Sequence, residues 1–155
     1  MQAPRKPRAG NTRVINMSYL ESTIGYSIRR AQIAVFQSIY GSFDDKAVTL
    51  VQFSVMAVVA DNPQITQAEL AEVLAVERPR IVPLLNKLEE MELVQRLVCD
   101  TDKRNRRIVL TTKGGKVLAD LKRRFDVHEQ QLDKLMGKEK EVLLSMLHRV
   151  SKLAD

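Results

Sequence analysis

The chain has 155 residues, 45% of them hydrophobic and 28% charged, with a formal net charge of +6 at pH 7. That is enough apolar material for one globular domain with its own core, and the excess of cations points to an anionic partner, nucleic acid before a membrane surface. A single cysteine excludes an internal disulfide framework, and no apolar run is long enough to cross a bilayer or act as a signal peptide, so the expected location is the cytoplasm, with no membrane partner.

The chain opens with Arg5, Lys6, Arg8 and Arg13 set among Pro4, Pro7 and Gly10 without an acid, so residues 1–17 are expected to form a disordered basic arm, either a solvated tail or a further contact to an anionic partner. From Ser18 to Tyr40, Leu20, Ile24, Ile28, Ala31, Val35 and Ile39 recur at helical spacing and predict one long helix despite Gly25. Tyr26, Ile33, Phe36 and Tyr40 widen its apolar surface beyond one stripe, which is the pattern of a helix buried against two bodies, its own domain and a second subunit. Arg29 and Arg30 interrupt that surface; either they snorkel to water along their stems, or at least one faces a cleft and holds an acidic ligand.

Two capping boxes follow. Thr49 with Gln52, flanked by the hydrophobic staple Val48 and Phe53, starts a helix that runs to about Ala60 and is ended by Asp61-Asn62-Pro63. Thr66 with Glu69, stapled by Ile65 and Leu70, starts the next one. After a turn near Ala75-Val76, Ile81, Leu84, Leu85, Leu88 and Met91 form the buried stripe of a third helix that leaves Arg78, Arg80, Asn86 and Lys87 on its other faces. Pro79 fits a first turn, whereas Pro83 lacks an amide for the carbonyl four residues back and predicts a loosened or kinked start. Glu89, Glu90 and Glu92 read as a solvated acidic face. Val94–Val98 and Ile108–Thr111 are short β-rich runs separated by a loop dense in cations, a hairpin with a charged tip.

Thr111 caps a long helix over Thr112–Met136, striped by Val117, Leu118, Leu121, Phe125, His128, Leu132 and Leu135 and stopped by Gly137. Val142, Leu143, Met146, Leu147, Val150 and Leu153 then make a final amphipathic helix, Lys138–Leu153. Helical regions at both ends that each bury one face, around a small central module, suit an intertwined dimer.

The ordered set Thr66-Gln67-Ala68-Glu69-Leu70-Ala71, Asn86-Lys87-Leu88-Glu89-Glu90-Met91-Glu92-Leu93-Val94, and Asp102-Lys103-Arg104 followed by Leu110-Thr111 resembles the MarR transcriptional regulators. The resemblance implies a mainly α fold with a small β-hairpin wing: one domain over residues 18–155, with dimerisation helices at 18–45 and 112–155 flanking a winged helix-turn-helix at 48–111. It further implies an intertwined homodimer that represses transcription by placing two recognition helices in successive major grooves of a pseudo-palindromic, double-stranded operator. Asp102 and Arg104 match the family's Asp-x-Arg wing motif, in which the acid braces the wing.

On the DNA side, Arg78 and Arg80 are the candidates for base edges, because Arg holds guanine O6 and N7 together, with Asn86 and Lys87 further along the helix. Lys103, Arg104, Arg106 and Arg107 belong on phosphates or in the minor groove. The stretch Ile24–Gln32 looks like the first helix of family members that sense aromatic carboxylates or their coenzyme A thioesters. Tyr19, Tyr26, Arg29, Arg30 and Phe36 are then the ligand-binding candidates, for a hydroxycinnamoyl-type or benzoyl-type acid or acyl-CoA.

Catalytic groupings are lacking. His128 and His148 have no second His or Cys at metal-ligand spacing, and neither a Ser-His-acid set nor a Gly-rich phosphate loop can be read, so no enzyme, cofactor or metal is expected. Two alternatives stand beside a ligand-responsive regulator. One is redox response through Cys99, whose thiol neighbouring arginines would acidify; the other is a winged helix serving only as a protein-interaction module.

Overall fold

The computed structural model describes residues 15–42, 48–98 and 106–154. The first fourteen residues of the basic arm, together with Cys99, Asp102, Lys103 and Arg104, lie outside the described residues. The chain divides into two compact units, one ending at Val35 and one beginning at Phe36.

The N-terminal unit corrects the expectation of one long helix. A short helix α1 (Ser18–Glu21) is followed by α2 (Ile24–Ser42). Ser22 and Thr23 make the break: their hydroxyls donate to the carbonyls of Tyr19 and Leu20, each at 2.8 Å, and so take up acceptors that a continuing helix would use. The Thr23 carbonyl then accepts the Ser27 amide at 3.1 Å as the first bond into α2. The apolar stripe reads straight through this interruption, and for that reason the hydrophobic pattern did not reveal it.

In the second unit, α3 (Leu50–Asp61), α4 (Gln67–Val73), α5 (Arg78–Glu90), α6 (Thr112–Met136) and α7 (Lys140–Ser151) are joined by strands β1 (Ile65–Thr66), β2 (Val94–Val98) and β3 (Arg106–Leu110). Short 3-10 turns occupy Gly137–Glu139 and Lys152–Ala154, so the last helix ends two residues before Leu153. Both capping boxes form. Gln52 Oε1 accepts the Thr49 amide at 2.8 Å, Glu69 Oε2 accepts the Thr66 amide at 2.7 Å, and each threonine hydroxyl accepts the amide three residues on.

The sheet is three-stranded and antiparallel, in the order β1-β3-β2. The expected hairpin is its β2–β3 part, with Arg96 opposite Ile108. The third strand was not foreseen: Ile65 and Thr66 pair with Ile108 and Arg107, a two-residue ladder formed by distant segments with no local alternation to announce it. Met56, Leu70, Ile81, Leu85, Leu88 and Ile108 are fully buried where α3, α4, α5 and the sheet converge. Phe53 stacks on Phe125 at 5.2 Å between ring centroids and joins α3 to α6.

Candidate nucleic-acid interface

The turn between α4 and α5 sets the angle at which α5 leaves the core. Ala75 adopts φ 50°, its amide bonding to the Glu72 carbonyl at 3.0 Å, while the Val76 amide reaches the Ala71 carbonyl at 2.9 Å. This pair of bonds is the Schellman ending of a helix, with alanine in the left-handed position that glycine usually fills. The same device closes α5, where Glu92 has φ 59° and the Glu92 and Leu93 amides bond to Glu89 and Leu88.

Helix α5 starts without a side-chain cap and has Pro79 in its first turn. That turn is closed by a bond from the Arg80 amide to the Glu77 carbonyl at 2.8 Å, three residues back, and the helix continues through Pro83 to Glu90. Its inward face is Ile81, Leu85 and Leu88, while Arg78, Arg80, Asn86 and Lys87 are exposed. Arg80 Nε lies 3.4 Å from Glu77 and Lys87 Nζ lies 3.6 Å from Glu90, both between well-solvated side chains, and such pairs hold little energy against an incoming phosphate or base. Arg78 has no ion pair among the described residues.

In the acidic run at the end of α5, Glu90 and Glu92 are solvated as the sequence suggested, but Glu89 is not. Glu89 binds Arg96 of β2: one carboxylate oxygen accepts the Arg96 amide at 3.0 Å and the other receives its Nη1, with the Arg96 side chain 13% exposed. Nη2 of the same guanidinium donates to Asn86 Oδ1 at 2.9 Å. Glu92 pairs with Lys113 at 3.0 Å. Only the short sequence distance between Glu89 and Arg96, opposite charges on adjoining elements, could have signalled the first of these contacts.

On the wing side, Arg106 is exposed at the start of β3. Arg107 donates from Nη1 to the Gln64 carbonyl at 3.1 Å, bracing the outer edge of the sheet at a residue with φ 66°. The capping carboxylate of Glu69 is held below its ordinary range, chiefly by the Thr66 hydroxyl, then by the Thr66 amide, with a further contribution from Arg107.

Of the ligand candidates, the N-terminal unit brings Tyr26 and Arg30 together. With Met17, Glu21 and Ser27 they line an open recess of about 420 Å³. Arg29 is exposed outside that lining, Tyr19 is 81% exposed, and Phe36 belongs to the other unit. Glu21 places an acid in the recess beside Arg30. His128 is buried on α6 with no partner for Nδ1 among the described residues, and His148 is exposed on α7. No cluster of described residues could hold a metal, and no described helix is long and apolar enough to cross a membrane.

Three helices on a small antiparallel sheet, with the third helix presenting a polar, cationic face, define a winged helix-turn-helix protein. A model of the MarR family matches residues 48–105. The uncharacterized HTH-type transcriptional regulator YybA of Bacillus subtilis is 32% identical over 111 residues, covering 71% of this chain and 74% of that protein. Among solved structures, the transcriptional repressor CouR bound to a 23-mer DNA duplex superposes with a TM-score of 0.84 at 33% identity, covering 90% of this chain and 100% of that one. CouR bound to p-coumaroyl-CoA gives 0.82 at 32% identity, covering 90% and 99%. The chain belongs to the MarR family, whose members matched here are transcriptional regulators and not enzymes.

Proposed function

We propose that the protein is a homodimeric repressor that holds a pseudo-palindromic operator through two copies of α5 and its wing, and that it leaves the operator when a small aromatic acid or its coenzyme A thioester binds. The observation that carries the DNA reading is the division of α5 into a buried face, Ile81, Leu85 and Leu88, and a solvated face bearing Arg78, Arg80, Asn86 and Lys87. The likeness to DNA-bound CouR supports it. Arg78 and Arg80 read base edges, Lys87 and Arg106 meet phosphates, and Lys103 and Arg104 of the wing, with Asp102 as its brace, extend the contact. Arg107 contributes charge at the wing while its guanidinium holds the sheet edge.

Dimerisation is supported by apolar surface that the chain leaves uncovered. On α7, Val142 and Met146 are more than half exposed, and Leu143, Leu147 and Val150 more than a third. Two-fold symmetry in the protein then selects two-fold symmetry in the operator, with half-sites about one helical turn, roughly 10 bp, apart.

The effector reading is supported by the pairing of Tyr26 with Arg30 at one recess and by the likeness to CouR bound to p-coumaroyl-CoA. A ligand there releases DNA only by binding better to the half-site spacing that DNA rejects, since equal affinity for both forms shifts nothing. The test is a gel shift at low salt with selected duplexes, scored for stoichiometry and for release by hydroxycinnamoyl and benzoyl acids and thioesters. Two chains per duplex and release by a member of that panel are expected. Failure to shift any duplex would remove the DNA reading, and a shift unaffected by the whole panel would remove the effector.

A further inference from the structure

The contact between Arg96 and Asn86 has a consequence for base reading, and it rests on the proposal that α5 enters the major groove. A guanidinium carries five N–H donors and no acceptor, so whatever amide atom faces it must be the oxygen. Arg96 Nη2 lies 2.9 Å from Asn86 Oδ1, and the arginine is anchored on its other side, although its buried Nε has no partner among the described residues. Its Nη1 is held by Glu89, its main chain is laddered to β3, and its own amide is bound by the second Glu89 oxygen at 3.0 Å. Asn86 itself is exposed, on the side of α5 away from Ile81, Leu85 and Leu88.

We infer that Arg96 is a positioning residue that fixes the Asn86 amide with its oxygen turned toward the wing strand and its NH2 turned outward, so that Asn86 reads bases carrying a keto oxygen in the major groove. The common use of asparagine in that groove is a bidentate clasp on adenine, whose N6 needs the amide oxygen while N7 takes the amide N–H. Here the oxygen gives one of its two lone pairs to Arg96 and is thereby held facing the wing strand and not the base. What remains is a pair of donors, which suits guanine O6 and N7 or thymine O4 and opposes the donor groups of adenine N6 and cytosine N4. The same reasoning gives Glu89 a function at a distance from DNA: it pins the fork that pins the amide.

Selection of bound duplexes from a random library tests this, with the native chain, Asn86→Ala, Asn86→Asp and Arg96→Lys run in parallel. The native chain should favour guanine or thymine by about five- to tenfold at one position in each half-site, the size of a modest base contact. Asn86→Ala should lose the preference at that position alone. Asn86→Asp keeps an acceptor for Arg96 and turns a second acceptor outward, so its preference should invert to cytosine or adenine. Arg96→Lys removes the planar fork, and adenine should gain on guanine at that position by about fivefold. Because this is a ratio between bases within one variant, partial unfolding lowers the yield of bound DNA without changing the ratio. An adenine preference in the native chain, a library unchanged by Asn86→Ala, or an unchanged ratio in Arg96→Lys would each overturn the inference while leaving DNA binding intact. No enrichment of any duplex by the native chain would overturn both.

Discussion

Gly114, in the first turn of α6, lies so close to the main chain of Leu93 that a Cβ on it would sit 1.9 Å from the Leu93 carbonyl oxygen. The contact is one part of a clamp. The Thr111 amide bonds to the same carbonyl at 3.1 Å, the Thr111 hydroxyl donates to the Glu92 carbonyl at 2.6 Å, and Lys113 reaches the Glu92 carboxylate at 3.0 Å. The start of α6 is thereby fixed to the turn that ends α5, so a displacement of α6 is passed to the helix proposed to read DNA.

Gly114→Ala should therefore be costly, because the atom in the way is backbone and cannot rotate aside. A destabilisation of roughly 1–3 kcal/mol or more is expected, the range of overpacked sites, visible as a lower urea midpoint. Operator affinity per folded molecule should fall as well, since α5 must shift with the turn. Native-like stability in this variant would mean that the close approach does not exist in solution.

The Glu69 cap makes a pH-dependent contribution whose direction follows from its depressed carboxylate. Since the folded group titrates below its ordinary value of 4.5, the stabilisation is fully present above that pH and is lost as the pH falls through the lowered folded value. Glu69→Ala lacks the contribution at every pH. The gap in melting temperature between the native chain and Glu69→Ala should thus be constant near neutrality and close progressively below pH 4.5. A gap that widens on acidification would contradict the capping geometry.

Base readers and phosphate contacts should separate in their response to DNA sequence. Arg78→Ala or Arg80→Ala is expected to cost roughly 1–3 kcal/mol on the preferred operator and much less on unrelated duplexes. Arg106→Ala should weaken both kinds of DNA alike and reduce the slope of log affinity against log salt by up to about one unit. Fluorescence anisotropy at several salt concentrations distinguishes them; equal losses on specific and random DNA for both Arg78 and Arg80 would remove base reading from this end of α5.

How much of this was legible in the sequence depended on how local the physics was. The capping boxes at Thr49 and Thr66 are made by residues three apart, and both were readable, as was the stop at Gly137, where φ is +53°. The buried face of α5 follows from a helical period that Pro83 does not disturb. The features with no local signal depend on partners brought close only by folding. Strand β1 exists because Ile108 and Arg107 arrive beside Ile65 and Thr66, and the Glu89–Arg96–Asn86 set exists because the chain reverses after Met91. The break at Ser22–Thr23 is local, yet it was hidden because the apolar stripe on either side of it keeps the same phase.

The two arginines of α2 should behave differently toward an effector. The sequence offers Arg29 and Arg30 as equal candidates for an acidic group, but only Arg30 lines the recess shared with Tyr26 and Ser27. A ring against Tyr26 with its carboxylate or thioester phosphates on Arg30 would use both an aromatic face and a cation, while Glu21 in the same lining penalises an anion that arrives without a partner. Arg30→Ala should accordingly abolish release of the operator by aromatic acids or acyl-CoA thioesters and leave affinity for DNA in their absence unchanged, whereas Arg29→Ala should retain most of the response. Glu21→Gln should raise the affinity for a free acid, because it removes the like charge and keeps the shape. Calorimetric titration of the panel into the free protein, paired with anisotropy on the operator, reads both quantities. An undiminished response in Arg30→Ala would move the acidic group away from this recess, and absence of heat with every compound in the native chain would remove the aromatic effector altogether.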